Sequence, residues 1–419
     1  MPRVVLHSDI NNFYAGVECL HRPAIRSRPV AVAGDPALRH GIVLAKNGPA
    51  KAAGVTTGEQ IWKARQRCED LVLVPPNYPL YLRYSRMARR IYGDYTDRIE
   101  PFGLDEAWLD VGGSAALRGG GERIAHEIRT RIREELGVTV SVGVSFNKVF
   151  AKLGSDMKKP DAVSVITREN FRETAWPLPA KDLLYVGRAT QRKLCANGIG
   201  TIGDIALSSP VFLRSLLGKW GEVLWTFANG NDSSPVLHVG EESAIKSIGN
   251  STTTPRDLVC DEDIRAVFYV LCESVAARLR GHGLKGRTLQ IHVRDCDLSS
   301  FERQGGFERP TFLACEMVPR AMELIGANYA WAKPIRSVGV RMTGLVPADT
   351  PAQVSVFTDE AARAKAERLE AAVDALRRRF GHYCIGRAVL LREGARFNIS
   401  PKDEHTIHPV PFFKGSVVT

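Results

Sequence analysis

Apolar and polar positions follow two rhythms along this chain, and the switch between them marks out its elements. Ile124, Ile128, Ile132 and Leu136 recur every four residues, which predicts an amphipathic helix over 122–136 stopped by Gly137. Directly afterwards Val140, Val142 and Val144 alternate with smaller residues, so 139–145 reads as a strand. At the start of the chain Val4, Val5 and Leu6 predict a buried strand over 3–8, with Asp9 at its C-terminal end. A helix is expected over 13–20 and a short strand over 28–34. Small residues and helix follow over 41–68, with Lys46, Lys51 and Lys63 interleaved. Pro75-Pro76-Asn77-Tyr78-Pro79 closes that insert, and 81–95 is a helix carrying Arg83, Arg86, Arg89 and Arg90. Residues 99–111 read as a hairpin that turns at Phe102-Gly103 and returns along Ala107 to Val111.

Strand, helix, hairpin, helix, strand is the order of a ferredoxin-like α+β sheet, and it places Asp9 and the hairpin on adjacent central strands. The character changes over 180–206, where short helices surround a glycine hairpin marked by Gly187, Gly198 and Gly200. Helix-hairpin-helix modules offer backbone N–H groups to a DNA phosphate, and similar hairpins also serve as plain packing units. Residues 236–249 are linker-like. A second α+β unit follows: strand 248–255, helix 261–280, strands 288–294 and around 301–307, helix 311–325 and strand 335–342. In the strand 288–294, Leu289, Ile291 and Val293 face one way and Gln290, His292 and Arg294 the other. That polar face is either simply solvated or, with Arg287, Arg336 and Arg341 nearby, laid along a phosphate backbone. A last helix is expected over 361–380; neither it nor the tail beyond suggests any chemistry.

Length, charge and cysteines narrow the class. A chain of 419 residues should divide into roughly three or four domains. Its apolar runs fall far short of the ~20 residues a membrane span needs. The first residues are not a signal peptide, so a cytoplasmic protein with no membrane partner is expected. The eight cysteines show no Cys-x-x-Cys and no Cys/His cluster, which predicts reduced, mostly buried thiols and no structural zinc. A formal net charge of +11 fits a polyanionic partner such as nucleic acid, but equally a merely basic soluble protein.

The motifs decide between them. Asp105 and Glu106 are adjacent, and neighbouring strand side chains point to opposite faces, so they serve one site only where the backbone bends. Gly103 supplies such a bend. Adjacent acids are commonly solvated turn residues, yet Leu104, Ala107, Trp108 and Leu109 would bury this hairpin. Paired carboxylates beside apolar surface need a counter-charge, and a divalent metal is the natural one. With Asp9 they form a plausible two-magnesium site for phosphoryl transfer.

Three stretches carry a family resemblance. Asp9-Ile10-Asn11-Asn12-Phe13-Tyr14-Ala15-Gly16-Val17-Glu18, then Leu104-Asp105-Glu106-Ala107-Trp108-Leu109-Asp110, then the run from Ser141 to Pro160 resemble, in order and spacing, the three motifs of the Y-family (translesion) DNA polymerases. The resemblance covers about residues 3–345 and is greatest to bacterial members. It implies an α+β multidomain right-hand polymerase: a ferredoxin-like palm (1–12 and 80–168), small fingers (13–79), a helix-hairpin-helix thumb (169–236), a linker (237–247) and a C-terminal βαββαβ little-finger domain (248–345). It implies DNA-template-directed, low-fidelity DNA synthesis from dNTPs on primer-template DNA. Two Mg2+ ions would serve each active site, with Mn2+ as a substitute, and the chain would act as a monomer. Asp9 and Asp105 would ligate both metals, Glu106 the catalytic one, and the Ile10 carbonyl the nucleotide-bound one. Tyr14 matches the steric gate against a ribose 2′-hydroxyl. Phe13, Lys51 and Lys159 fall on the nucleotide, Lys159 on its triphosphate, while Val32 and Ile42 match the apolar roof over the nascent base pair.

There are departures. Where the family often has Asn-Tyr-Pro-Ala-Arg, this chain has Asn47-Gly48-Pro49-Ala50-Lys51. Gly48 lacks the tyrosine hydroxyl and Lys51 lacks the guanidinium fork, with Lys46 as a nearby compensating cation. Asn11 replaces an acid common in the first motif, at a position that is not a metal ligand in the family. In the extension 346–419, Gln353-Val354-Ser355-Val356-Phe357 resembles the peptide by which bacterial polymerases dock on a sliding clamp, with Gln353, Val356 and Phe357 as the contacts; its other reading is an ordinary short strand. The rival readings are a non-catalytic DNA-binding accessory relative, which should lack one of the three acids, and a metal-dependent nuclease or nucleotide cyclase, which should lack the hairpin module and the second α+β unit.

Overall fold

Strand β1 (Val5–Ile10) is buried along its whole length because it is central to a sheet and covered on both faces. Leu6 and Ile10 pack with Ile124 and Ile128, while Val5 faces the opposite way toward Val149 and Phe150. A computed structural model describes residues 3–36, 39, 41–241, 244–351, 353 and 359–391. They gather into two units, residues 3–34 with 42–241, and residues 35, 36, 39 and 41 with the described residues from 244 to 391.

The first unit runs β1, α1 (Phe13–His21), β2 (Val30–Ala33), β3 (Val43–Lys46), α2 (Gly48–Ala52), α3 (Ile61–Arg67), β4 (Val72–Val74), α4 (Tyr78–Gly93), β5 (Ile99–Pro101), β6 (Glu106–Asp110), α5 (Gly121–Leu136), β7 (Val140–Ser145), α6 (Lys148–Met157) and β8 (Val163–Ile166). Its large sheet has the order β5-β6-β1-β7-β8. Asp9 and the acidic hairpin therefore lie on neighbouring central strands, as the element order predicts. Helix α4 starts three residues before its expected position. Pro79 is tolerated in a first helical turn, and the Asn77 side chain accepts the Leu80 N–H at 3.3 Å.

Two contacts seat α6 against the sheet. A Cβ at Gly143 would lie 1.9 Å from the Ala151 carbonyl oxygen, so only glycine permits β7 to approach α6 this closely. At the head of α6, the buried Lys148 ammonium donates to both oxygens of Glu100 on β5, each at 2.8 Å. A small sheet, β3-β2-β4, sits between α1 and α4 in the chain. The unit ends in short helices: α7 (Phe171–Thr174), α8 (Arg188–Ala196), α9 (Ile202–Leu207), α10 (Pro210–Leu217) and α11 (Lys219–Ala228). The pattern reading had not marked α10 and α11.

The second unit contains β9 (Ser247–Leu258), α12 (Asp261–Gly281), β10 (Leu284–Asp295), β11 (Ser300–Thr311), α13 (Ala314–Asn328), β12 (Ile335–Pro347) and α14 (Glu360–Phe380). Its sheet has the order β11-β10-β12-β9, all antiparallel. Leu289, Ile291, Val293, Val338, Val340 and Met342 share one core with the apolar residues of α12 and α13. The strands are longer than expected, and register shifts fall near Arg287 and Arg336. All eight cysteines are free, but they are not mostly buried: Cys195, Cys296, Cys315 and Cys384 are exposed. Cys296 follows the end of β10 and Cys384 lies in a short 3-10 turn, while Cys195 lies on the outer side of α8.

Candidate active site

The end of β1 and the start of β6 bring the three acids together. Asp9 is the cross-strand partner of Glu106, and the Ile10 N–H donates to the Asp105 carbonyl at 3.0 Å. Antiparallel partners place their Cα atoms about 4.5–5.5 Å apart. The hairpin turn that delivers Asp105 is fixed by Gly103, at φ 96°, and braced from α4: Arg89 donates to the Gly103 carbonyl at 2.9 Å and the Ser85 hydroxyl to that of Leu104 at 2.5 Å.

Two lysines of the α6 region answer part of this charge. Lys152 Nζ lies 3.0 Å from Glu106 Oε1, 3.3 Å from Asp9 Oδ2 and 3.2 Å from Asp156 Oδ2. Lys159 Nζ lies 2.7 Å from both Asp9 Oδ2 and Asp156 Oδ1. Burial draws the Lys152 ammonium down, but Glu106, Asp9 and Asp156 together outweigh it and hold the group firmly protonated. Asp9 is raised by burial, against the pull of Lys152. Asp105 is pushed up to about 7, first by burial and then by the charges of Asp9 and Glu106. The site thus carries more negative charge than its lysines offset. Glu106 Oε2 is buried without a hydrogen bond, facing the equally unbonded Nε2 of His7 at 3.5 Å. Burial, and then Lys152, keep His7 neutral, and its Nδ1 shares a 2.9 Å hydrogen bond with the Ser155 hydroxyl. Hard carboxylate oxygens, an unsatisfied one among them, and an acid forced toward its protonated form suit a divalent cation. As the side chains stand, the lysines hold the acids, and among the described residues no set of three His, Cys, Asp or Glu side chains forms a ready coordination shell.

The acids open onto a cavity of about 550 Å³ whose lining includes Ile10, Phe13, Tyr14, Lys46, Gly48, Lys51, Thr57 and Lys159. Asn12 turns the chain from β1 into α1 through a left-handed conformation, φ 52°, which asparagine tolerates. Tyr14 follows, its ring stacked on Tyr81 at 4.3 Å and 11° and set edge-on to Tyr78. Phe13 is almost wholly buried in the core beneath. Asn11 ties β1 to β7: its amide donates to the Thr139 hydroxyl at 3.2 Å and accepts from Ser141 at 3.0 Å, a role a carboxylate could only half fill. The expected apolar roof differs. Val32 is fully buried within β2, and Ile42, though exposed, is not part of the lining.

The model of the impB/mucB/samB family matches residues 8–156, and that of the family's C-terminal domain matches residues 245–356. A DNA polymerase IV from Acetivibrio thermocellus is 54% identical over 393 residues, which is 94% of this chain and 98% of that protein. The chain belongs to the impB/mucB/samB family. A DNA polymerase IV from Pelotomaculum thermopropionicum is 38% identical over 387 residues, covering 92% of this chain and 95% of its own length. A solved Y-family DNA polymerase chimera shares the fold, with a TM-score of 0.74 at 24% identity over 82% of this chain and 99% of that structure. The chain is a DNA-directed DNA polymerase of the Y-family, translesion kind.

Other expected contacts of this polymerase fall less simply. In the hairpin module the N–H groups of Gly187, Gly198 and Gly200 are spent internally, on Tyr185, on Cys195 and on the Asp204 carboxylate at 2.9 Å. Gly200 is drawn in because Asp204, which completes a capping box with Thr201, takes its N–H as well. On the second unit's sheet, Arg294 and Arg341 lie on the outward face opposite the core, paired across strands with Ser337 and Gln290. Arg287 and Arg336 fall at the register shifts, the first exposed and the second half-buried. Gln353 is exposed, while Val356 and Phe357 lie outside the described residues. The sequence reading assigned nothing to Lys152, Asp156 or His7. The spacing of Lys148, Lys152, Asp156 and Lys159 along one face of α6 and just beyond it was the available signal.

Proposed function

We propose that this polymerase transfers a deoxynucleotide from dNTP to a primer 3′-hydroxyl with release of pyrophosphate, using Asp9, Asp105 and Glu106 as its catalytic acids. The observation that carries this is the register pairing Asp9 with Glu106 while Asp105 is pushed up to about 7 between them. Asp9, Asp105, Glu106 and the Ile10 carbonyl would hold two divalent ions, magnesium by the hardness of these ligands. Bound there, the ions would activate the attacking hydroxyl and neutralise the phosphates. Lys152 keeps Asp9 and Glu106 together until then, and Lys159, on the cavity wall, is placed to exchange its carboxylates for phosphate oxygens. The Tyr14 ring, fixed by Tyr81, walls the sugar side and excludes a 2′-hydroxyl.

On this reading the five-stranded sheet lies in the palm, the small sheet in the fingers, α7 to α11 in the thumb (169–236), and residues 248–345 of the second unit are the little finger. The protein copies damaged templates with low fidelity, acts as a monomer and meets a sliding clamp through Gln353 to Phe357. Presence of all three acids argues against a non-catalytic accessory role, and the matched C-terminal domain against a nuclease or cyclase. The test is primer extension with Asp9, Asp105 and Glu106 changed singly to Ala. Each should lose activity by roughly 10³-fold or more, as groups acting together in the transition state do; an unaltered rate in Asp105→Ala would refute the assignment.

A further inference from the structure

Helix α14 lies on its unit with its charged side inward. Arg363 reaches Glu316 at 2.8 Å, Asp374 reaches Arg280 at 2.6 Å and Arg377 reaches Glu273 at 2.9 Å. Its buried residue is Glu370, and among the described residues none of its apolar side chains joins the core of α12, α13 and the sheet. The apolar side faces out instead: Leu369, Leu376 and Phe380 are 61%, 42% and 60% exposed. Spacings of seven and four residues align them in one ridge about 16 Å long. A surface helix ordinarily turns such a ridge into the core. Ala372, exposed between the two leucines, leaves a hole into which another helix's side chain fits.

Charge on this side has one sign. Lys365 stands one turn before Leu369, and the helical period sets Arg368 and Arg379 together on one flank of the ridge. All three are exposed and make no ion pair among the described residues. The acids of α14, Glu360, Glu367, Glu370 and Asp374, are all spent on arginines. This composition selects the occupant. A second copy would set cations against cations. Nucleic acid would press the leucines and the phenylalanine against phosphates. A lipid surface takes a broad apolar face rather than a single ridge. A helix with its own apolar ridge and acids along the border answers both features, by knobs-into-holes packing and by opposite charge. So narrow a patch falls short of the ~800 Å² per partner of a standard interface, which makes the contact a transient one.

We propose that the outward face of α14 is a docking ridge for an acidic amphipathic helix of another protein. This does not depend on the nucleotidyl-transfer reading. The test uses the full chain and a fluorescein-labelled helical peptide of about three heptads, with leucine at the a and d positions and glutamate elsewhere. Anisotropy should show saturable binding that weakens as salt rises. Leu369→Ser and Leu376→Ser should each raise the Kd by roughly 10-fold or more, the worth of one buried leucine. Arg368→Glu combined with Arg379→Glu should abolish binding of this peptide and create binding of its lysine-for-glutamate counterpart. These positions are exposed, so every variant should keep the melting temperature of the unaltered protein. Absence of saturable binding by the unaltered protein, or binding that none of these substitutions changes, overturns the proposal. So does retention on phosphatidylglycerol vesicles, or association of the chain with itself, that Leu376→Ser removes while peptide binding stays the same.

Discussion

At the scale of single residues, Asp105 carries the sharpest consequence. Its carboxyl is ordinarily half-ionised near 3.8, but in the folded site that point moves up to about 7. Between those values the folded chain holds a proton that the unfolded chain has released, so this group's contribution to stability falls as pH rises through the window. A cation that needs the ionised acid must displace that proton. Saturating magnesium should therefore raise the melting temperature more at about pH 8 than at about pH 6, and Asp105→Asn should flatten the difference. Equal magnesium shifts at both pH values in the unaltered protein would count against the site. Tyr14 is the second such residue. Changing it to Ala, with Tyr81 left in place, should raise ribonucleotide insertion by roughly 10- to 200-fold, the discrimination gained by excluding one small group. Deoxynucleotide insertion should change much less. Asp105 was legible because motif and strand end coincide there, and Tyr14 because it lies in the motif that leads from β1 into α1. Lys152 was not: a lysine on a helix face reads as solvated, and only the fold shows the three carboxylates beneath it.

At the scale of elements, periodicity located the helix at 122–136 and the central strands, since each has one face or two in a core. It failed where side chains answer to partners distant in sequence. The helix α14 looked chemically silent, yet its Glu370 is buried and accepts the N–H groups of Ala314, at 2.9 Å, and Cys315, capping the start of α13 while paired with Arg280. Asp374 takes the same arginine at 2.6 Å. Nothing in a string of Ala, Arg and Glu foretells which glutamate is the buried one. Glu370→Ala strands two helix N–H groups and part of the Arg280 charge, so it should destabilise the second unit by about 3 kcal/mol. Denaturant unfolding followed through Trp331, which packs against that unit's core, would read this loss. Primer extension at low temperature should survive.

At the scale of the whole molecule, a net charge of +11 left two readings open, a polyanionic partner or a merely basic soluble protein. Many arginines are neutralised within the fold, as Arg256 is by Asp263, Arg280 by Glu370 and Asp374, and Arg363 by Glu316 and Glu367. Arg341 is not: it stands exposed on the outward face of β12, across from Gln290, with no ion pair among the described residues. Arg294 shares that face but folds back onto the Leu298 carbonyl at 3.1 Å. If the outward face follows a phosphate backbone, Arg341 contributes one released counterion and Arg294 less than one. Arg341→Ala in the full chain should weaken primer-template binding about equally for different sequences and lower the slope of log affinity against log salt by about 1. Arg294→Ala should lower it by less. A change in affinity that depended on base sequence, with the salt slope intact, would mean that Arg341 reads bases and that the phosphate reading of this face is wrong.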